Sequence, residues 1–239
     1  MVKAPRNIVI LTGSGISAES GVATFRDRNG VWARYDYREV ATPEGFAANP
    51  ALVHDFYNQR RRGLQSVQPN PAHLALAKLE AGLDRCGGRL TLVTQNVDDL
   101  HERGGSQNVL HMHGELLKAE CARCGDICAC SGDLSIDAIC AVCRHAGGMR
   151  PHVVWFGEMP RHMDEAADAI AVADLFVSIG TSGSVYPAAG FVAEARALGV
   201  QTVELNLEPS KNARLFDDAR YGPASVTAPA WVDEILSLN

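Results

Sequence analysis
A chain of 239 residues with 46% hydrophobic content suits one large domain, or one domain carrying a small insert. Its net charge of −6 argues against a nucleic-acid partner held by a general positive field. No apolar stretch approaches the roughly 20 residues that span a bilayer, and Met1-Val2-Lys3-Ala4-Pro5-Arg6 runs straight into the first apolar segment, which is read as leaving no room for a secretory leader.

The first predicted element is a β-branched run, Asn7-Ile8-Val9-Ile10-Leu11-Thr12, that ends in glycines and reads as a buried parallel strand. After it, Gly13-x-Gly15-x-x-Ala18 fits a dinucleotide loop whose backbone approaches a pyrophosphate ahead of a helix N-terminus. A hydride-transferring enzyme would also carry an acidic residue about 20 positions on, at the end of a second strand. Arg34-Tyr35-Asp36-Tyr37-Arg38 lies there with no strand signature before it, which weakens the dehydrogenase reading. The stretch from Phe25 to Gln68 is rich in Arg, Tyr and Phe and reads as a helical subdomain, bounded at about 36–84. Asn49-Pro50 and Asn70-Pro71 supply cap and first-turn signals for helices over 50–57 and 71–83. Further strands are expected at 90–94, 174–179 and 200–205, with helices at 188–198 and 231–238. This alternation predicts a Rossmann-like, doubly wound parallel sheet from about 1–35, 85–115 and 150–239.

Seven cysteines include two C-x-x-C pairs, Cys121/Cys124 and Cys140/Cys143, and fit a reducing cytoplasm better than a disulfide scaffold. Each pair can chelate one face of a tetrahedron, so the insert at about 116–150 reads as a zinc ribbon around one structural ion. Four thiolates leave no open position for substrate, which argues against a zinc hydrolase. Iron is the other metal such a set accepts. Cys128 and Cys130 are unassigned, and Cys86 is expected to pack.

The string from Gly13 to Arg26, followed in order by Gln95-Asn96-Val97-Asp98, His113-Gly114, the cysteine pairs, Gly180-Thr181-Ser182, Asn206-Leu207-Glu208 and Tyr221-Gly222-Pro223-Ala224, resembles the sirtuin family. The resemblance runs from about residue 6 to 235 and is close to the bacterial CobB-type members, including Pro151 to Glu158 and Val185 to Gly190. Ser14 replaces a usual alanine, and Ala23-Thr24 stands where many members have Pro-Asp.

The resemblance implies NAD-dependent removal of acyl groups from protein lysines. NAD is consumed as co-substrate, and the products are free lysine, nicotinamide and O-acyl-ADP-ribose. It implies that Gly13, Ser14, Gly15, Ile16, Thr24, Phe25, Arg26, Trp32, Gln95, Asn96, Asp98, Gly180, Thr181, Ser182, Asn206, Leu207, Glu208 and Ala224 hold the cofactor. His113, with Asn96, takes the catalytic place; a histidine exchanges protons near neutral pH, and such a base contributes about 10²–10⁴ in rate. His111 is the competing histidine, sharing a strand face with His113 if the segment is extended, and His101 is read as structural. Val154, Phe156, Gly157 and Glu158 on one side, with Val185 and Tyr186 on the other, imply a groove in which an acyl-lysine peptide lies as an added strand.

Tyr57 and Arg60 lie three residues apart on one predicted helix and share a face. A phenol beside an arginine fork suits a carboxylate at the end of an acyl chain. The resemblance is to members that remove succinyl and malonyl groups, with Ala41 as the small residue that widens the pocket. Because Arg61 and Arg62 follow, a solvated basic face is the competing interpretation. The expectation is a cytoplasmic, monomeric deacylase that takes acetyl and succinyl groups. An ADP-ribosyltransferase and a non-catalytic NAD or ADP-ribose sensor on the same fold are its rivals.

Overall fold
A computed structural model describes residues 4–23 and 35–238. The continuous apolar runs become the centre of a six-stranded, all-parallel sheet. Its strands are β1 (Asn7–Thr12), β2 (Arg89–Thr94), β3 (Val109–His111), β7 (Leu175–Ile179), β8 (Gln201–Asn206) and β9 (Asp218–Tyr221), in the order β3-β2-β1-β7-β8-β9. Strands covered on both faces need no polar alternation, and β7 is buried at all five positions. Alternate residues therefore serve two cores. Ile8 and Ile10 meet α4 (Pro71–Arg85) and α8 (Ala224–Ser237), while Val9 and Leu11 meet α6 (Met163–Ala171) and α7 (Phe191–Ala197).

The long connection from β1 to β2 carries α1 (Tyr37–Val40), α2 (Pro43–Ala48) and α3 (Pro50–Leu64) before α4. Asn49 Oδ1 accepts from Leu52 N at 3.1 Å, and Pro50 fills the first turn of α3. Asn70 caps α4 in the same way, with His73 closing a reciprocal bond to the cap. Past β3, α5 having been a single turn at Leu100–Arg103, the chain turns into a small antiparallel sheet. It is built from β4 (Gly114–Cys121), β5 (Ile127–Ala129) and β6 (Met149–Val153), in the order β5-β4-β6. Its own core is slight: Ala119, Cys121, Leu134, Cys140 and Met149. A third core, with Val53, Phe56, Tyr57, Leu116, Val153 and Trp155, joins α3 to β4 and β6.

Three expectations change. The last helix begins at Ala224 rather than 231, because Ala228, Trp231, Val232 and Ile235 form one buried stripe that carries it through Pro229. Cys86, expected to pack, is exposed just past the end of α4. The basic run does not form a solvated face, since Arg61 is fully buried.

Candidate active site
The strand order reverses between β1 and β7, where two glycine turns leave the carboxyl ends into one crevice. Gly13 N donates to Ile179 O at 3.0 Å and Gly15 N to Gly180 O at 2.9 Å. A Cβ on Gly15 would stand 2.7 Å from Gly180 O, and one on Gly180, at φ +64°, would stand 2.5 Å from Ile16 N. Each turn is glycine because the other passes against it. Two amides lock the pair. Asn96 Nδ2 donates to Gly13 O at 3.2 Å and Ser17 Oγ at 3.1 Å, and Asn206 Nδ2 donates to Thr181 O at 2.8 Å.

A cavity of about 1870 Å³ opens above these turns. Single small-molecule pockets run to about 1,000 Å³, so the space is larger than one such ligand needs. Gly13, Ser14, Gly15, Gln95, Asn96, Asp98 and His113 line it, as do Gly180, Thr181, Ser182, Asn206, Leu207, Glu208 and Ala224. Ala41, Tyr57, Arg60, Val154, Phe156, Gly157, Glu158, Val185 and Tyr186 line its remaining walls. Residues separated by the whole chain are thus brought to one place. Ile16 differs: its side chain is fully buried in the sheet core. Thr24, Phe25, Arg26 and Trp32 lie outside the described residues.

The two competing histidines are separated by the turn between β3 and β4, so they do not share a strand face. His111 Nε2 lies 2.7 Å from Glu102 Oε1 and its Nδ1 lies 3.2 Å from Asn96 O. Both partners only accept, so both ring nitrogens carry protons. Burial opposes that charge, but the hydrogen bond and charge of Glu102 outweigh it and raise the pKa of His111. A protonated ring held this way has no lone pair to offer. His113 Nδ1 lies 2.9 Å from Gln95 O, which fixes the proton on Nδ1 and leaves Nε2 bare. Burial lowers its pKa, with the Gln95 contact opposing, so the ring is neutral at pH 7.

In the same cavity, the Arg60 guanidinium lies over the rings of Phe56 and Tyr57, 5.7 Å and 5.8 Å from their centroids. Burial pushes the Tyr57 phenol up to about 12, so it keeps its proton, and burial lowers Arg60 without removing its charge. Asp98 is buried too, its pKa raised by desolvation, and accepts from Leu100 N at 3.2 Å. The site therefore joins a neutral base to a half-buried cation and a phenol that can donate.

The four paired cysteines meet on the antiparallel sheet, with all sulfurs within 4.8 Å of one another. Cys121 Sγ and Cys143 Sγ are 3.7 Å apart, and Cys124 Sγ and Cys140 Sγ 3.6 Å. A tetrahedron with bonds of about 2.3 Å has edges of about 3.8 Å, so the set fits one zinc ion with no further ligand. Cys128 is exposed and Cys130 half-buried, and neither joins this group.

Sequence reasoning placed Trp155 only within the peptide-groove string and gave Ser17 no role of its own. Trp155 lines the cavity and donates to Tyr57 across 98 positions, a separation with no local signal. Ser17 sits inside the glycine string, but its buried contacts to Asn96 and His73 come from distant elements.

A model of the Sir2 family matches residues 13–187. A Caulobacter vibrioides protein named NAD-dependent protein deacylase is 62% identical over 230 residues, 96% of this chain and 97% of its own length. One of the same name from Salmonella typhimurium is 56% identical over 238 residues, 99% of this chain and 86% of its own. Among solved structures, a Sir2 homologue in complex with NAD superposes with a TM-score of 0.87 at 37% identity, covering 98% of this chain and 91% of that one. Sir2 bound to an acetylated peptide gives 0.81 at 28% identity, covering 96% and 93%.

Proposed function
Because the chain belongs to the Sir2 family and is an NAD-dependent protein deacylase, we propose that it removes succinyl and malonyl groups from protein lysines as well as acetyl. The observation that carries this reading is the Arg60 guanidinium over the Tyr57 ring, both lining the same cavity as His113. A carboxylate arriving there meets a cation in a half-buried setting and a phenol that keeps its proton. Such charge-assisted pairs contribute roughly 1.5–3 kcal/mol. Ala41, small and buried, leaves room for the longer acyl chain.

Bound NAD supplies an electrophilic ribose carbon, with nicotinamide as its leaving group. The glycine turns at Gly13–Gly15 and Gly180–Thr181 hold the dinucleotide, and Gln95, Asn96 and Asp98 orient its reactive end. The Gln95 amide suits a carboxamide because it both donates and accepts, whereas Asn96, whose Nδ2 is spent on Gly13 O and Ser17 Oγ, offers its oxygen as acceptor. His113 Nε2 takes the proton of a hydroxyl brought against it, while Gln95 O keeps the other ring nitrogen protonated. The acyl-lysine segment lies as an added strand between Val154–Glu158 and Val185–Tyr186, with weak demand on its sequence. Solved relatives bound to acetylated and propionylated peptides support an acylated peptide as the kind of substrate taken. Zinc in the four thiolates ties the antiparallel sheet together. Among the described residues no helix is long and apolar enough to cross a membrane. The unpaired cysteine usage favours a reducing cytoplasm, where the protein is proposed to act as a monomer.

Arg60→Met tests the acyl reading. Its kcat/KM toward a succinyl-lysine peptide is expected to fall about 10–100-fold, the equivalent of the charge-assisted pair, and to change little toward the acetyl peptide. Equal losses on both substrates would remove Arg60 from acyl recognition.

A further inference from the structure
Trp155 is held by contacts to its backbone, its ring face and its indole nitrogen. Its backbone N donates to Glu158 Oε2 at 2.8 Å, and its ring packs against Phe46 at 5.1 Å between centroids. The Arg150 guanidinium caps the indole at 3.6 Å from the ring centroid. Arg150 is itself fixed by a fork to Glu158, at 2.6 Å and 2.9 Å, and by Val153 O at 3.0 Å. From this clamp the indole Nε1 reaches the Tyr57 hydroxyl at 3.0 Å.

An indole N–H only donates, so the Tyr57 oxygen must accept, and the phenol proton must turn away from Trp155. A hydroxyl that accepts a hydrogen bond is polarised into a better donor, and a cation on the indole face strengthens the N–H in turn. We propose that Trp155, clamped by Arg150 and Glu158, is a positioning residue that turns the Tyr57 proton into the cavity. It thereby sets the preference for carboxylate-ended acyl groups over acetyl. The proposal rests on the reading of Tyr57 and Arg60 as the carboxylate site. Without the indole donor, the phenol is free to rotate and use its proton elsewhere, and the site loses its preset direction. An acetyl group presents no carboxylate there, so its turnover is blind to that direction.

The test uses four enzymes, each assayed on matched succinyl- and acetyl-lysine peptides: wild type, Trp155→Phe, Tyr57→Phe and the double variant. Trp155→Phe keeps an aromatic ring and deletes the donor together with part of the indole's bulk, a packing loss that both peptides would register alike. The succinyl-to-acetyl ratio of kcat/KM is expected to fall about three- to tenfold, mainly through the succinyl KM, the range of one neutral hydrogen bond. In the Tyr57→Phe background the same change should leave the ratio alone, since the effect passes through the hydroxyl. Arg150→Met, which removes the cation but keeps the indole, should lower the ratio in the same direction by less. If Tyr57→Phe lowers the ratio while Trp155→Phe does not, the positioning role is wrong and the carboxylate site stands. If neither variant moves the ratio, both fall together. Parallel losses on both peptides would make Trp155 a packing residue only, and would also overturn the proposal.

Discussion

A histidine acts as a base only through a nitrogen that lacks a proton, and here hydrogen bonds to fixed acceptors decide which histidine qualifies. His111 spends both nitrogens on Glu102 and Asn96 O, whereas His113 spends one on Gln95 O. His113→Ala should reduce kcat about 10²–10⁴-fold, the usual worth of a general base, with the folded state retained by circular dichroism. Its lowered pKa has a consequence for pH as well. The base is lost only when the pH falls through that lowered value, so the acid limb of the kcat/KM profile should lie below about 6.5. A limb above that value would indicate a different group. The sequence could name both histidines but not their protonation, because the deciding partners, Glu102 and the carbonyls of residues 95 and 96, act through tertiary geometry.

Helix α3 shows how three successive arginines acquire three fates. Steps of about 100° per residue send them in different directions. Arg60 meets the cavity, and Arg61 turns inward, where its Nε donates to Leu116 O at 2.9 Å. Arg62 stays at the surface and pairs with Asp133. Asn58 joins Arg61 in gripping the cysteine insert: its Nδ2 donates to Leu134 O at 3.1 Å and its Oδ1 accepts from Leu134 N at 2.8 Å. The helix that carries Tyr57 and Arg60 is therefore tied to a module whose own core holds five buried residues. Removing zinc with a chelator should lower the melting temperature, since metal binding and folding of such a module are linked. Asn58→Ala should cost about 1–3 kcal/mol in urea unfolding by leaving buried backbone groups at Leu134 unpaired. An unchanged melting temperature after verified metal loss would contradict the structural role. Local sequence could not have foretold these ties. Strand β4 reads Gly-Glu-Leu-Leu-Lys-Ala-Glu-Cys, a helix-favouring composition that pairing with β5 and β6 overrides.

Across the whole molecule, the central strands were legible because burial on both faces demands unbroken apolar runs, and the cysteine spacing because a tetrahedron demands it. The edge strands were not. Strand β3 is three residues long, and β9 is the polar run Asp218–Tyr221, neither long enough to show a period. Also hidden was the buried polar layer beneath the glycine turns, where His73 and His101 rings lie 5.0 Å apart and touch Ser17 and Thr12. Burial pushes His73 down to about 4 and His101 well below its usual value. As pH falls from about 6.5 toward 4, the unfolded chain takes up protons there that the folded chain refuses. The stability that depends on this pair should be full above about 6.5 and decline through that window, and His73→Gln should flatten the decline in urea midpoints measured at pH 7 and pH 5. Equal slopes for the variant and the parent protein would remove His73 from the acid sensitivity.

The most direct test of the whole account is mass spectrometry of matched acetyl-lysine and succinyl-lysine peptides, incubated with the protein with and without NAD. The account predicts loss of both acyl groups only when NAD is present, with O-acyl-ADP-ribose formed in step. Loss of either group without NAD, or retention of both with NAD bound, would contradict it.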